Sequence, residues 1–125
     1  APDALARAVL TADERATVDD VDGVIARAVS ATTAFRANPE VAALLGAGTL
    51  LREVPFSMVM DDAPVRTIVR GAIDLLVVPA DGPIVVVEFK TGRSRPSHER
   101  QLALYVKAAR ALYAGRAVEG RLIYP

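Results

Sequence analysis

The sequence predicts a single α/β domain on a mixed sheet, in which an antiparallel three-strand meander is followed by an α crossover to a fourth strand. Three observations lead there. The apolar period is helical up to residue 47, changes to two after Gly48, and becomes helical again from Ser97 to Ala114. The middle strands are joined only by turn-forming stretches, Asp61-Asp62-Ala63-Pro64 and Pro79-Ala80-Asp81-Gly82-Pro83, which is the signature of neighbouring antiparallel strands. The last strand lies beyond a helix long enough for the crossover that parallel pairing requires.

In order along the chain, residues 3–10 read as a short helix. From Thr17 to about Phe35 the residues Val18, Val21, Ile25 and Val29 recur at three- and four-residue spacing, and Asp19, Asp20 and Asp22 crowd the first turns, where acids complement the helix dipole. Asn38-Pro39 supplies a cap and a first-turn proline for a helix over 39–46, ended by Gly46. A first strand runs from residue 48 to Phe56, with Pro55 marking an edge or a bulge. A second covers 65–78 with Gly71 as a kink, and a third covers Ile84 to Lys90. Ser97 is expected to cap the helix over 97–114, Gly115 to end it, and a short strand follows at 120–124. The domain organisation is therefore N-terminal helices over 1–47, the meander over 48–90, the long helix and the last strand.

A chain of 125 residues with 52% hydrophobic content supports one core and not two. Its formal charge is zero, so any phosphate-binding surface must be local. With no cysteine, thiolate zinc sites, disulfide frameworks and cysteine nucleophiles are excluded, and a reducing, cytoplasmic setting is expected. The longest apolar runs are strand-sized, so no membrane role is expected. Ala1-Pro2-Asp3 runs straight into apolar sequence with no initiator methionine, which reads as a piece cut from a longer chain or as a trimmed one.

Only two lysines occur, and one of them, Lys90, closes a strand two residues after Glu88. That spacing sends Glu88 and Lys90 to one face and Phe89 to the other. Asp74 lies on the preceding strand, and its relation to Glu88 depends on the intervening hairpin. A two-residue Asp81-Gly82 turn gives partner numbers summing to 163 and sets Asp74 opposite Phe89. A three- or five-residue loop gives 162 and sets it opposite Glu88. A site at Asp74 therefore requires an odd loop, or a bulge with the same effect, for which Gly71 is the candidate.

Two carboxylates facing each other repel, and a lysine relieves only part of that. A divalent cation with hard oxygen ligands, Mg2+ or Mn2+, relieves the rest, held by Asp74, Glu88 and the Phe89 carbonyl. Such an ion would polarise a phosphate, while Lys90 orients the attacking water and offsets developing charge.

The ordered set Arg52-Glu53-Val54-Pro55-Phe56, Gly71-Ala72-Ile73-Asp74-Leu75-Leu76, Val86-Val87-Glu88-Phe89-Lys90-Thr91-Gly92 and Gln101-Leu102-Ala103-Leu104-Tyr105 resembles the RecB-type nuclease domain that closes AddA- and RecB-like helicase–nuclease subunits. The resemblance spans about residues 18–124 and implies a PD-(D/E)XK, restriction-endonuclease-like core with exonuclease activity in recombinational DNA repair. It makes Asp74 and Glu88 metal-binding acids and Lys90 the catalytic lysine. Glu53 matches a first-strand acid that holds a second metal or a metal-bound water. Gln101 and Tyr105 match a Gln-x-x-x-Tyr motif beside the active site, and their spacing places both on one helical face. Its implied partners are single- or double-stranded DNA ends and a helicase domain in the same chain or in a partner subunit, since no Walker A motif occurs here. Two features depart from the pattern. Glutamate rather than aspartate precedes the lysine, and the histidine expected on an upstream helix is missing, because the one histidine is His98.

Arg93, Arg95, His98 and Arg100 cluster around the 91–97 loop and are candidate DNA-backbone contacts, against a plain solvated loop. Two further readings stay open. One is a catalytically impaired module of the same fold that binds DNA or a partner subunit, and the other is a restriction-type endonuclease.

Overall fold

The computed structural model describes residues 1–61 and 64–125. Four helices precede the sheet: α1 (Pro2–Val9), α2 (Ala12–Thr17), α3 (Val21–Ala37) and α4 (Pro39–Leu45). Then come β1 (Thr49–Met60), β2 (Thr67–Val78), β3 (Ile84–Phe89), α5 (Pro96–Leu112) and β4 (Val118–Ile123). The sheet order is β1-β2-β3-β4, antiparallel across the first three and parallel between β3 and β4. This is the mixed sheet with an α crossover that the sequence predicts.

Local chemistry accounts for the element boundaries. Asp20 caps α3 by accepting the Gly23 N–H, and Asn38 caps α4 by accepting that of Glu40, so each removes an orphan donor from a first turn. The helix α2, which the periodicity does not reveal, starts with a reciprocal capping box between Thr11 and Glu14. Ser97 does not cap α5. The cap position is Arg95, without a side-chain bond, and Pro96 occupies the first turn, where its missing N–H costs nothing. The Asp61-to-Pro64 turn is outside the described residues at Asp62 and Ala63.

Two apolar layers cover the sheet. One face, with Ile73, Leu76, Ile84 and Val86, packs under α5 through Tyr105, Val106, Ala108 and Ala109. The other, with Leu75, Val77, Val85 and Val87, packs against Val41 of α4, with Phe35 of α3 beside it. Ile73, Leu76, Ile84, Val86 and Val87 are fully buried. At roughly 1.5–3 kcal/mol for each such side chain, this double-sided burial is what fixes the register of the central strands. Gly120 on β4 lets α5 sit close, since a Cβ there would come within 2.9 Å of Leu102 and Val106.

The strands β2 and β3 pair through Leu75↔Val87, Leu76↔Val86 and Val77↔Val85, so partner numbers sum to 162 and residues 79–83 form a five-residue loop. Arg116 spans that loop and donates to the carbonyls of Pro79 and Gly82, both at 2.9 Å.

The kink expected at Gly71 is absent, because Gly71 pairs regularly with Phe56. The irregular rung is the neighbouring one. Between Arg52↔Leu75 and Val54↔Ile73 the offset between the strands is unchanged, yet the intervening residues, Glu53 and Asp74, are not paired. Glu53 has φ +49°, the left-handed region, which costs a side-chain-bearing residue roughly 1–2 kcal/mol. At this rung both strands exchange faces. Leu50 on β1 and Leu75 and Val77 on β2 belong to the α3–α4 side, whereas Val54 on β1 and Ile73 on β2 belong to the α5 side. Simple alternation would have kept Leu50 with Val54 and Ile73 with Leu75.

Candidate active site

The site forms where β2 and β3 stop pairing. Extending the register one step beyond Leu75↔Val87 brings Asp74 beside Glu88, and there side chains take over from the ladder. The Asp74 N–H donates to Glu88 Oε1 at 3.2 Å, and the Phe89 N–H donates to Asp74 Oδ2 at 3.1 Å. Each carboxylate thus satisfies a main-chain donor that the diverging strands leave without a carbonyl.

Glu88 points to the α5 side and is 2% exposed, the one charged residue among the buried ones described. Burial raises its pKa from the usual 4.5 to about 7. The Asp74 N–H opposes that rise, the charge of Asp74 and a hydrogen bond between the two carboxyl groups add to it, and Lys90 offsets it in part. The charge of Asp74 thus works against the charge of Glu88, and a cation with hard oxygen preference would relieve that. Asp74, Glu88 and the Phe89 carbonyl make a donor set of the right chemistry for such an ion.

Lys90 leaves the end of β3 on the same side as Glu88. Its main-chain N–H continues the parallel pairing by donating to the Ile123 carbonyl at 2.9 Å. Its ammonium donates to Gln101 Oε1, and Gln101 Nε2 donates to the Tyr105 hydroxyl at 2.9 Å. An ammonium can only donate, so this contact fixes which way the Gln101 amide points. Tyr105 is held in turn by an edge-on contact with Phe56, ring centroids 5.3 Å apart. The space for both rings exists because Gly71 lies below them. A Cβ on Gly71 would be 3.0 Å from the Phe56 ring and 3.3 Å from that of Tyr105.

The remaining predicted residues are distributed as follows. Glu53 lies across the irregular rung from Asp74 and lines a groove with it, but among the described residues no three acids or histidines converge as a ready-made ion cage. Arg93, Arg95 and Arg100 are exposed and make no ion pair among the described residues. His98 is half-buried, with Nδ1 hydrogen-bonded at 2.9 Å to the Tyr124 hydroxyl beyond β4, so one ring nitrogen is already engaged. Phe35, Arg36 and Arg52, which line the groove beside Asp74, did not emerge from sequence reasoning. Two are on the last turn of α3, where nothing in the periodicity separates a site residue from a packing one.

The family model for the PD-(D/E)XK nuclease superfamily matches residues 1–124. The chain belongs to that superfamily, a class of nucleases that generally depend on divalent metal ions. No curated protein matches the chain. Among the described residues no helix is long and apolar enough to cross a membrane.

Proposed function

We propose that this domain is a DNA phosphodiesterase working with Mg2+ or Mn2+, and that it serves as the exonuclease module of a recombinational-repair helicase–nuclease. The observation that carries the reading is the convergence of Asp74, Glu88 and Lys90 at the point where β2 and β3 part, with the ammonium held by Gln101. Asp74, Glu88 and the Phe89 carbonyl would hold the ion, whose chemistry when bound is to polarise the phosphate and acidify water. Lys90 then sits where it can orient that water and meet the charge that builds on the phosphate. Gln101 takes one of its three N–H groups and Tyr105 holds Gln101, so the ammonium is placed before substrate arrives. Arg93, Arg95 and Arg100 supply the exposed positive charge for the DNA backbone, which an otherwise neutral chain needs.

The repair role rests on the motif order from Glu53 to Tyr105, and in that role translocation would come from a helicase domain elsewhere in the chain or in a partner, since this sequence has no Walker A motif. The missing upstream histidine favours one second reading, a nuclease-fold module that binds DNA or a partner subunit without cutting. Cleavage of linear single- and double-stranded DNA, with Mg2+, Mn2+ or EDTA and with Lys90→Ala as control, separates the two. Metal-dependent cleavage abolished by Lys90→Ala supports the enzyme. Cleavage that survives EDTA or Lys90→Ala defeats the mechanism, and binding without cleavage supports the second reading.

A further inference from the structure

Beside the acids, on the sheet face turned away from α5, lies a groove of about 490 Å3. Phe35, Leu45 and Phe89 are among the apolar residues lining it, and its polar part holds Arg36 and Arg52 together with the carboxylates of Glu53 and Asp74. The two phenylalanine rings meet edge-on, centroids 5.0 Å apart and planes at 74°, an arrangement that uses the face of only one of them. Both rings are only partly buried, and Leu45 is 37% exposed. Arg36 and Arg52 are exposed and make no ion pair among the described residues.

From this geometry we infer that the groove is a nucleobase subsite, taking the base of the nucleotide that adjoins the scissile phosphate. The inference rests on the nuclease reading given above. Asp74 alone belongs both to the groove and to the acid pair, so a phosphate held at Asp74, past the end of the β2–β3 pairing, has its attached nucleoside within reach of the groove on the other face of the sheet from Glu88 and Lys90. A base is a flat apolar plate with a polar edge, which suits an aromatic and aliphatic lining next to two guanidinium groups. Arginine serves here twice over, since its planar head can stack on a base or pair with the next phosphate. Arg36 lies at the end of α3 and Arg52 on β1, so the two approach from different elements. A base that enters the groove has left the duplex stack, so the nucleotide at the cut is unpaired.

The test scans a single-stranded thymidine oligonucleotide with one abasic position at a time. Binding is read by fluorescence anisotropy in the Lys90→Ala protein with Mg2+, so that turnover does not interfere. One abasic position is expected to weaken binding about tenfold, within the range of a lost base stack. Leu45→Trp, at the partly exposed rim, fills the groove. It is expected to weaken binding of the intact oligonucleotide by a similar factor and to erase the abasic effect. Arg36→Ala, at an exposed position, is expected to lower the salt dependence of binding by about one phosphate contact. An abasic scan that is flat, or equally strong in Leu45→Trp, overturns the subsite. DNA cleavage with a flat scan removes the subsite alone. A base-dependent scan without cleavage in the wild type removes the nuclease reading and leaves the subsite standing.

Discussion

Asp74 and Glu88 hold each other through the main chain, because the N–H of Asp74 donates to the carboxylate of Glu88 while the carboxylate of Asp74 receives the next N–H along β3. The acids are thus fixed in place before any ion binds. They are also forced together in a site where one of them is 2% exposed.

The first prediction concerns pH. The folded state holds the Glu88 proton up to about 7, whereas the unfolded chain releases it near 4.5. Below 4.5 both states are protonated and the stabilisation is fully present. Between 4.5 and about 7 each rise in pH favours the unfolded chain, and above that the dependence flattens. In EDTA the melting temperature should fall across this window, and Glu88→Gln should remove the fall. Affinity for Mg2+, measured by calorimetry, should rise over the same range, because the ion competes with the proton.

The second prediction separates Lys90 from its support. Lys90→Ala should lower kcat by about a hundred- to a thousand-fold, the scale for losing one donor to transition-state charge, with the melting temperature nearly unchanged. Gln101→Ala should lower kcat by roughly ten- to a hundred-fold, the scale for losing a supporting partner, while KM changes little. Single-turnover kinetics distinguish both from slow product release.

A third prediction follows from the left-handed backbone at Glu53. Glu53→Gly removes the side-chain penalty at φ +49°, whereas Glu53→Ala keeps it. In urea unfolding the glycine variant should be about 1 kcal/mol more stable than the alanine variant. If Glu53 also serves the metal, both should lose activity alike.

The fourth concerns Gly71. A methyl group there meets Phe56 and Tyr105 at 3.0 and 3.3 Å, and both rings are packed in the core. Gly71→Ala should cost about 1–3 kcal/mol by overpacking. It should also lower activity, because a displaced Tyr105 releases Gln101 and, through it, Lys90.

The spacing of Glu88 and Lys90 made their shared face readable from sequence, and the length of the Pro79-to-Pro83 stretch made the odd register a stated condition. Both depend only on strand geometry and on counting. Gln101 and Tyr105 were picked out by the resemblance, and the four-residue spacing added only that they share one helical face. The exchange of faces at Glu53 and Asp74 was not. A pattern of alternating residues carries no mark where two strands swap sides together, and a glutamate gives no hint that its φ is positive. Gly71 drew attention as a backbone irregularity, yet its role is to make room for the Phe56 ring of β1 and for the Tyr105 ring, which α5 brings from more than thirty residues away. The helix α2 was legible in principle through Thr11 and Glu14, but six residues are too few for a periodic signal.

The unpaired rung has a mechanical consequence. β3 supports β2 only from Leu75 to Val77, so the outer part of the β1–β2 hairpin projects as a cantilever, braced on one side by α5 through Phe56 and Tyr105. The fulcrum of that lever is the Glu53 and Asp74 position. The outer part of the hairpin, toward Met60 and Thr67, therefore joins the three-strand part of the sheet at the residue that also carries one of the two paired carboxylates.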